Sequence, residues 1–296
     1  MYTVFDPGHC GVSASVYEIA PLAVKYGIGG VAVPQNLLED PKAGVAAADF
    51  IFDHGLRWSL LPTPADFFTE SVTDAAFDSA LERFKRWADA GEKMGVRYCY
   101  NHVWNGSNAR KSEAQFEWVL RRLRRIWKVA DDHGLRYGME FLGPCPLQRS
   151  FRYPFFNSLS GILALADAVS PRCGFLFDTY HWYTGSDQRV DEAYLAAAQV
   201  ERMVNFHLND GVPGRTRTQQ EDLERQLPLT SGIIDAALPY RLFERAGYTG
   251  PVLCEPLRPW QQNAEGRSLE QTMAQVSAAY ERVRQAAQTP PAQAAR

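Results

Sequence analysis

The chain lacks the marks of several protein classes. Its 296 residues include five cysteines, Cys10, Cys99, Cys145, Cys173 and Cys254, an odd number, widely spaced and without a CxxC pair. That pattern excludes a disulfide framework and leaves reduced, structural thiols. No run of about 18 apolar residues occurs, so a membrane-spanning helix is not expected. The first dozen residues carry Asp6 and His9 and show no basic segment followed by an apolar stretch. A secretory signal is therefore not expected, and a cytoplasmic enzyme is the default. Positive charge is not in excess either: 31 Lys+Arg stand against 34 Asp+Glu, a net charge of -3. This removes the electrostatic footprint for nucleic acid or an anionic membrane surface, and a small neutral or weakly charged substrate fits better. There is also no exact internal repeat.

What is present is ordinary globular composition, 46% hydrophobic and 22% charged, enough for a large buried core. Read in order, the chain alternates short apolar runs with helical patterns. Tyr2 to Phe5 precedes a helix at Ser15 to Tyr26; Gly30 to Val33 precedes one at Lys42 to His54; Leu56 to Leu61 precedes Ala75 to Met94. Val96 to Val103 is followed by Ser112 to His133, which Ser112 and Gln115 are expected to open as a capping box. Arg121, Arg122, Arg124, Arg125 and Lys128 on that helix read as a solvated face rather than a nucleic-acid patch. Further helices are expected at Ser158 to Val169, Asp191 to Arg202, Ile234 to Ala246 and Ser268 to Gln288. The sum is eight strand-then-helix units, which predicts an α/β fold with a single (β/α)₈ TIM barrel over residues 1–288. Residues 289–296, rich in Pro, Ala and Gln, read as a disordered tail. An open doubly wound sheet is the alternative.

Four runs in the second half decide between the two. Gly138 to Leu142, Gly174 to Asp178, Val204 to His207 and Val252 to Glu255 are brief apolar runs bounded by Gly or Pro, as buried strands are. Each carries an ionisable residue at or near its end: Glu140, Asp178, His207 and Glu255. In a barrel all strands end at one mouth, so residues from the fifth to eighth strands can meet. In an open sheet the outer ones stand too far apart, because neighbouring strands are about 4.8 Å from each other. Three carboxylates and one imidazole form a mainly oxygen-donor set suited to Mn²⁺ or Mg²⁺, with Co²⁺ and Zn²⁺ admitted. Without a cation the carboxylates would repel.

The runs MEFLGP, FLFDTYH, VNFHLND and VLCEPL resemble the corresponding strands of the xylose-isomerase-like TIM-barrel superfamily, the sugar phosphate isomerase/epimerase group. The resemblance spans Tyr2 to Gln288, with its specific motifs in the second half. It implies that Glu140, Asp178, His207 and Glu255 bind one metal, often manganese, and that Glu140 and Glu255 also move protons. The activity implied is a divalent-metal-dependent isomerase or epimerase that transfers a proton next to a carbonyl through a metal-stabilised enediolate. A lyase using the same enolate, such as an inosose dehydratase or a C-glycoside-cleaving subunit, is the alternative. Endonuclease relatives add histidines on the early strands, whereas Val31-Ala32-Val33 and Ser59-Leu60-Leu61 have none.

The remaining candidates lie in loops. The resemblance makes His181 a contact to a substrate hydroxyl and Trp182 a wall; His102 and Trp104, at the fourth strand's end, take similar roles, and the role of His9 is open. His54 and His133, at helix ends, read as capping or solvated. The insertion from Asp210 to Ser231 resembles the family's lid, where an Arg holds a substrate oxygen; Arg217 is preferred over Arg215. Relatives read LPG where this chain reads LPLTSGIID. The loop Gly143 to Asn157 is rich in aromatics and keeps a larger substrate, an inosose or a glycoside, in view. A homo-oligomer is expected, or a complex with a second subunit.

Overall fold

The computed structural model describes residues 1–64, 67, 69–185, 189–264 and 266–289. The strands in chain order are β1 (Tyr2–Phe5), β2 (Gly30–Val31), β3 (Arg57–Trp58), β4 (Leu60–Leu61), β5 (Tyr98–Val103), β6 (Gly106–Ser107), β7 (Arg136–Phe141), β8 (Tyr153–Pro154), β9 (Gly174–Asp178), β10 (Met203–Leu208), β11 (Glu224–Arg225), β12 (Pro251–Cys254) and β13 (Arg258–Pro259). The main sheet runs β3-β2-β1-β12-β10-β9-β7-β5-β4, and its neighbours pair in parallel. Its two edges, β3 and β4, are separated only by Ser59, so one kinked strand forms both ends of the sheet. The ring is therefore that of a (β/α)₈ barrel, as the alternating pattern predicts.

Helices follow the strands where the apolar periodicity places them, among them Val16–Lys25, Pro41–Asp53, Asp74–Lys93, Ser112–Asp132, Leu159–Val169, Ala237–Arg245 and Leu269–Gln288. Gly134 ends one of them at φ 64°, a left-handed position that costs a residue without a Cβ nothing. Strand alternation sets which side chains face the axis. Phe177 and Phe206 pack against Phe243 of the helix Ala237–Arg245, each with ring centroids 4.9 Å apart. Their neighbours Asp178 and His207 must then point the other way, into the barrel.

Two local expectations are corrected. The helix Ser112–Asp132 has Lys111 as its N-cap and no side-chain cap. The Ser112 hydroxyl donates instead to the Pro154 carbonyl at 2.8 Å, and Gln115 is buried. Arg122 is not on the solvated face but 2% exposed, donating to the carbonyls of Phe67 and Val72 and to Asp74. A capping pattern and a charge run are local signals, and here tertiary partners outbid both. The five thiols are free, four of them buried. No helix among the described residues is long and apolar enough to cross a membrane. Of the expected tail, 290–296 lie outside the described residues.

Candidate metal centre at the barrel mouth

β9 ends at Asp178 and a helix, Thr179–Gly185, begins at the next residue. The carboxylate caps that helix: Oδ1 accepts from the amides of Tyr180 at 2.6 Å and His181 at 3.2 Å. Oδ2 accepts from Asn209 Nδ2 at 2.9 Å and Arg225 Nη1 at 3.0 Å. This turn also brings His181 to the mouth beside Asp178, which a continuous strand would forbid. The Gly143 amide donates to His181 Nδ1 at 3.1 Å, and Nε2 lies 3.9 Å from Glu140 Oε1. Gly143 has to be glycine here, since a Cβ would stand 2.1 Å from the His181 carbonyl oxygen.

Glu140, Asp178, His207 and Glu255 converge. His207 Nδ1 lies 3.5 Å from Glu140, 3.4 Å from Asp178 and 3.3 Å from Glu255. All four are buried. Neither nitrogen of His207 nor either oxygen of Glu140 makes a hydrogen bond of acceptable geometry, although charged neighbours stand within reach. Polar atoms so deeply buried are rarely left in that condition, and it is the condition that metal ligands show without their ion. The spacing agrees: donors about 2.1 Å from one ion stand about 3.0–3.4 Å apart. The residues present fit a divalent cation: Asp178, His207 and Glu255 offer ligand atoms within 4.8 Å of one another, and so do Glu140, Asp178 and His181.

Burial opposes charge on all three carboxylates, but it is outweighed. His102 and His207 hold Glu140 well below the usual carboxylate range. Arg225 and His181 lower Asp178, and Arg225, His207 and His9 hold Glu255 well below that range. His207, despite burial, is raised well above an ordinary imidazole by Glu255, Asp178 and Glu140. The cluster is thus an anionic pocket in which three carboxylates face histidine rings and the Arg225 guanidinium.

The guanidinium is the residue that sequence reasoning passed over. Arg225, with 4% of its side chain exposed, touches Asp178 and Glu255, lies 3.1 Å from His181 Nε2 and donates to Asp222 at 3.2 Å. Arg217, the preferred candidate, donates to the Thr184 carbonyl at 3.0 Å and is not brought to the cluster. The insertion is pinned at its base by Asp210, whose buried carboxylate accepts from the amides of Gly211, Ser231, Gly232, Ile233 and Ile234. β11 then pairs with β13, and this pairing aims Arg225 inward. One available signal was its place just before the buried Leu227-Pro228 step, where the insertion returns to the core.

Above the cluster opens a cavity of about 410 Å³, lined by His9, Ser59, Thr63, Tyr100, His102, Trp104 and His207 among others. His102 Nε2 lies 2.9 Å from Glu140 Oε2 and His9 Nε2 3.3 Å from Glu255 Oε1. Trp104 stands at the cavity, half exposed, whereas Trp182 lies in the core against Phe177 with its indole N–H donating to the Arg189 carbonyl at 2.5 Å.

A parallel (β/α)₈ barrel with a carboxylate and imidazole cluster at the C-terminal ends of its strands defines a class of site-bearing barrels. The chain belongs to the xylose isomerase-like TIM-barrel family, whose model matches residues 20–276. Its structure is similar to that of a xylose isomerase domain protein from Alicyclobacillus acidocaldarius subsp. acidocaldarius, with TM-score 0.79, 25% identity, and coverage of 97% of this chain and 99% of that one. The fold also matches the IolI protein with a bound zinc atom, at TM-score 0.77, 16% identity and coverage of 96% and 98%. D-psicose 3-epimerase from Clostridium cellulolyticum H10, bound to D-tagatose, matches at TM-score 0.73, 15% identity and coverage of 98% and 100%.

Proposed function

We propose that this chain is a metal-dependent isomerase or epimerase of a keto sugar, moving a proton at a carbon next to a carbonyl. The observation that carries the reading is the convergence of Glu140, Asp178, His207 and Glu255, all buried and with Glu140 and His207 left without hydrogen-bond partners, beneath a cavity of small-molecule size. Epimerases of ketoses among the fold relatives support it. The donor set, three carboxylates to one imidazole, favours Mn²⁺ over softer ions. A divalent cation held there neutralises the carboxylates and supplies positive charge beside the oxygen on which negative charge develops as the carbon loses its proton.

The protein's own groups do the rest. Glu140 and Glu255 approach His207 from different strands, β7 and the end of β12, so they can act on a bound sugar from two sides, one taking a proton and the other returning it. Each has an imidazole on its cavity side, His102 for Glu140 and His9 for Glu255, to orient the carboxylate. Asp178, held by four hydrogen bonds, is too fully engaged to serve as a base and acts as a fixed ligand. His181, beside Asp178, and Arg225, with its guanidinium, stand next to the ligand set to meet substrate oxygens.

The test is to incubate the Mn²⁺-loaded protein with ketohexoses and inososes in D₂O and follow C–H exchange and products by NMR. Exchange with an epimerised product is expected, and Glu140→Gln should slow it by about 10²-fold or more. Loss of water or of an aglycone would replace the isomerase reading by a lyase using the same proton abstraction. Exchange on no carbonyl substrate, with Glu140→Gln indistinguishable from the parent, would sink the scheme.

A further inference from the structure

The opposite end of the barrel, where the parallel strands begin, carries arginines that the proposed reaction does not use. Arg57 is the first residue of β3, Arg97 directly precedes β5, and Arg136 is the first residue of β7. Arg97 and Arg136 lie side by side, since the Arg136 amide donates to the Arg97 carbonyl at 2.8 Å. Arg57 and Arg97 line one cavity of about 220 Å³, with Tyr2, Tyr98 and Phe52 among its other walls.

Among the described residues none of these three arginines has a carboxylate partner, and no acidic residue lines the cavity. Arginines elsewhere find one: Arg125 stands 2.7 Å from Asp78, Arg172 2.8 Å from Asp131 and Arg202 2.8 Å from Asp167. In a chain with 34 acidic against 31 basic residues, neighbouring cations without a counter-charge run against the composition. They are also held in place. The Tyr2 hydroxyl donates to the Trp58 carbonyl at 2.8 Å, which fixes its ring 5.2 Å from the Arg57 guanidinium. Arg136 stands 5.3 Å from the centroid of the Tyr98 ring and donates to the Glu201 and Met203 carbonyls. Stacking engages the face of a guanidinium and leaves N–H groups on its edge for a ligand. The hydroxyl of Tyr98, half-buried at the cavity, makes no hydrogen bond among the described residues and adds a donor.

We propose that this cavity binds a phosphate group, its oxygens met by the forks of Arg57 and Arg97, with Arg136 as the flanking charge. Three guanidiniums exceed the single charge of a carboxylate, and a phosphate offers several oxygens to forks arriving from separate strands. Phe52, 46% exposed at the cavity, gives a substituent on the phosphate an aromatic wall. The ligand is a free phosphate ion or a small monoester. Because this cavity lies where the strands begin and Glu140, Asp178, His207 and Glu255 lie where they end, the ligand bound here is not the substrate, and its binding needs no metal.

The test is titration calorimetry of the EDTA-treated full chain with inorganic phosphate, phenyl phosphate and acetate at constant ionic strength. One saturable site for phosphate is expected, with acetate at least about tenfold weaker. Arg57→Gln and Arg97→Gln should each weaken phosphate by about tenfold. Arg121→Gln, an exposed arginine of the helix Ser112–Asp132, should leave it unchanged. Tighter binding of phenyl phosphate that Phe52→Ala removes supports the site with a monoester as its ligand; equal binding supports it with the free ion. An equal loss in Arg121→Gln, acetate binding as tightly as phosphate, phosphate binding only after Mn²⁺ is added, or no saturable phosphate binding would overturn the site. Proton exchange on carbonyl sugars is read in a separate assay at the other end of the barrel, so the site and the proposed reaction fail independently.

Discussion

Arg225→Met takes the guanidinium out of the carboxylate cluster while keeping much of the side chain's volume. In the metal-free protein this leaves Asp178 and Glu255, both buried, without the cation that stands 3.0 Å from the first and in contact with the second. Two opposite charges at about 4 Å attract by about 4 kcal/mol at an effective dielectric constant near 20, most of it offset by desolvation of the guanidinium. What remains after one partner is removed is an uncompensated buried charge, a loss of about 3–5 kcal/mol. At about 2 °C per kcal/mol for a chain of this size, the melting midpoint should fall by about 6–10 °C. Saturating Mn²⁺ neutralises the same carboxylates, so the loss should shrink to less than half, and the rise in midpoint on metal addition should be larger in Arg225→Met than in the parent. Calorimetric scans of EDTA-treated and Mn²⁺-titrated protein measure both. Arg217→Met, which lies away from the cluster, is the control. A metal-free midpoint within about 1 °C of the parent, or an equal loss with and without Mn²⁺, would refute the view that Arg225 and the cation share one electrostatic task.

Two further outcomes follow from the geometry. Leu229, half-buried, sits at φ 55°, a left-handed position that favours glycine; relief of about 1–2 kcal/mol of left-handed strain should offset most of the lost packing, so Leu229→Gly should change stability by less than about 1 kcal/mol. Leu227→Ala, at a buried position of ordinary backbone, should cost about 2–5 kcal/mol in urea unfolding, and equal costs for the two would contradict this account. At His133 burial lowers the imidazole's pKa, but the Val129 carbonyl and Asp89 outweigh it and raise it above its usual value. Its contribution is then complete below about pH 6.5 and is lost as pH rises through the folded value. His133→Gln should accordingly flatten the fall in midpoint between mildly acidic and mildly alkaline pH, and an unchanged slope would remove His133 from the account.

The sequence by itself determined the barrel and the chemical character of its mouth. Apolar runs closed by Gly or Pro, alternating with helical stripes, are local patterns, and eight of them imply a ring whose strand ends meet; Glu140, Asp178, His207 and Glu255 were legible because each sits at such an end. Tertiary structure decided which loop residues join them. Which arginine of the 210–231 insertion turns inward depends on the pin at Asp210 and the pairing of β11 with β13, contacts between segments far apart in the chain. The same holds for Gln115, drawn inward once Ser112 is taken by Pro154, and for Trp182, which the short helix after Asp178 sends into the core rather than to the cavity. Periodicity encodes which face of an element is buried; it carries no record of the distant partner that claims a particular side chain.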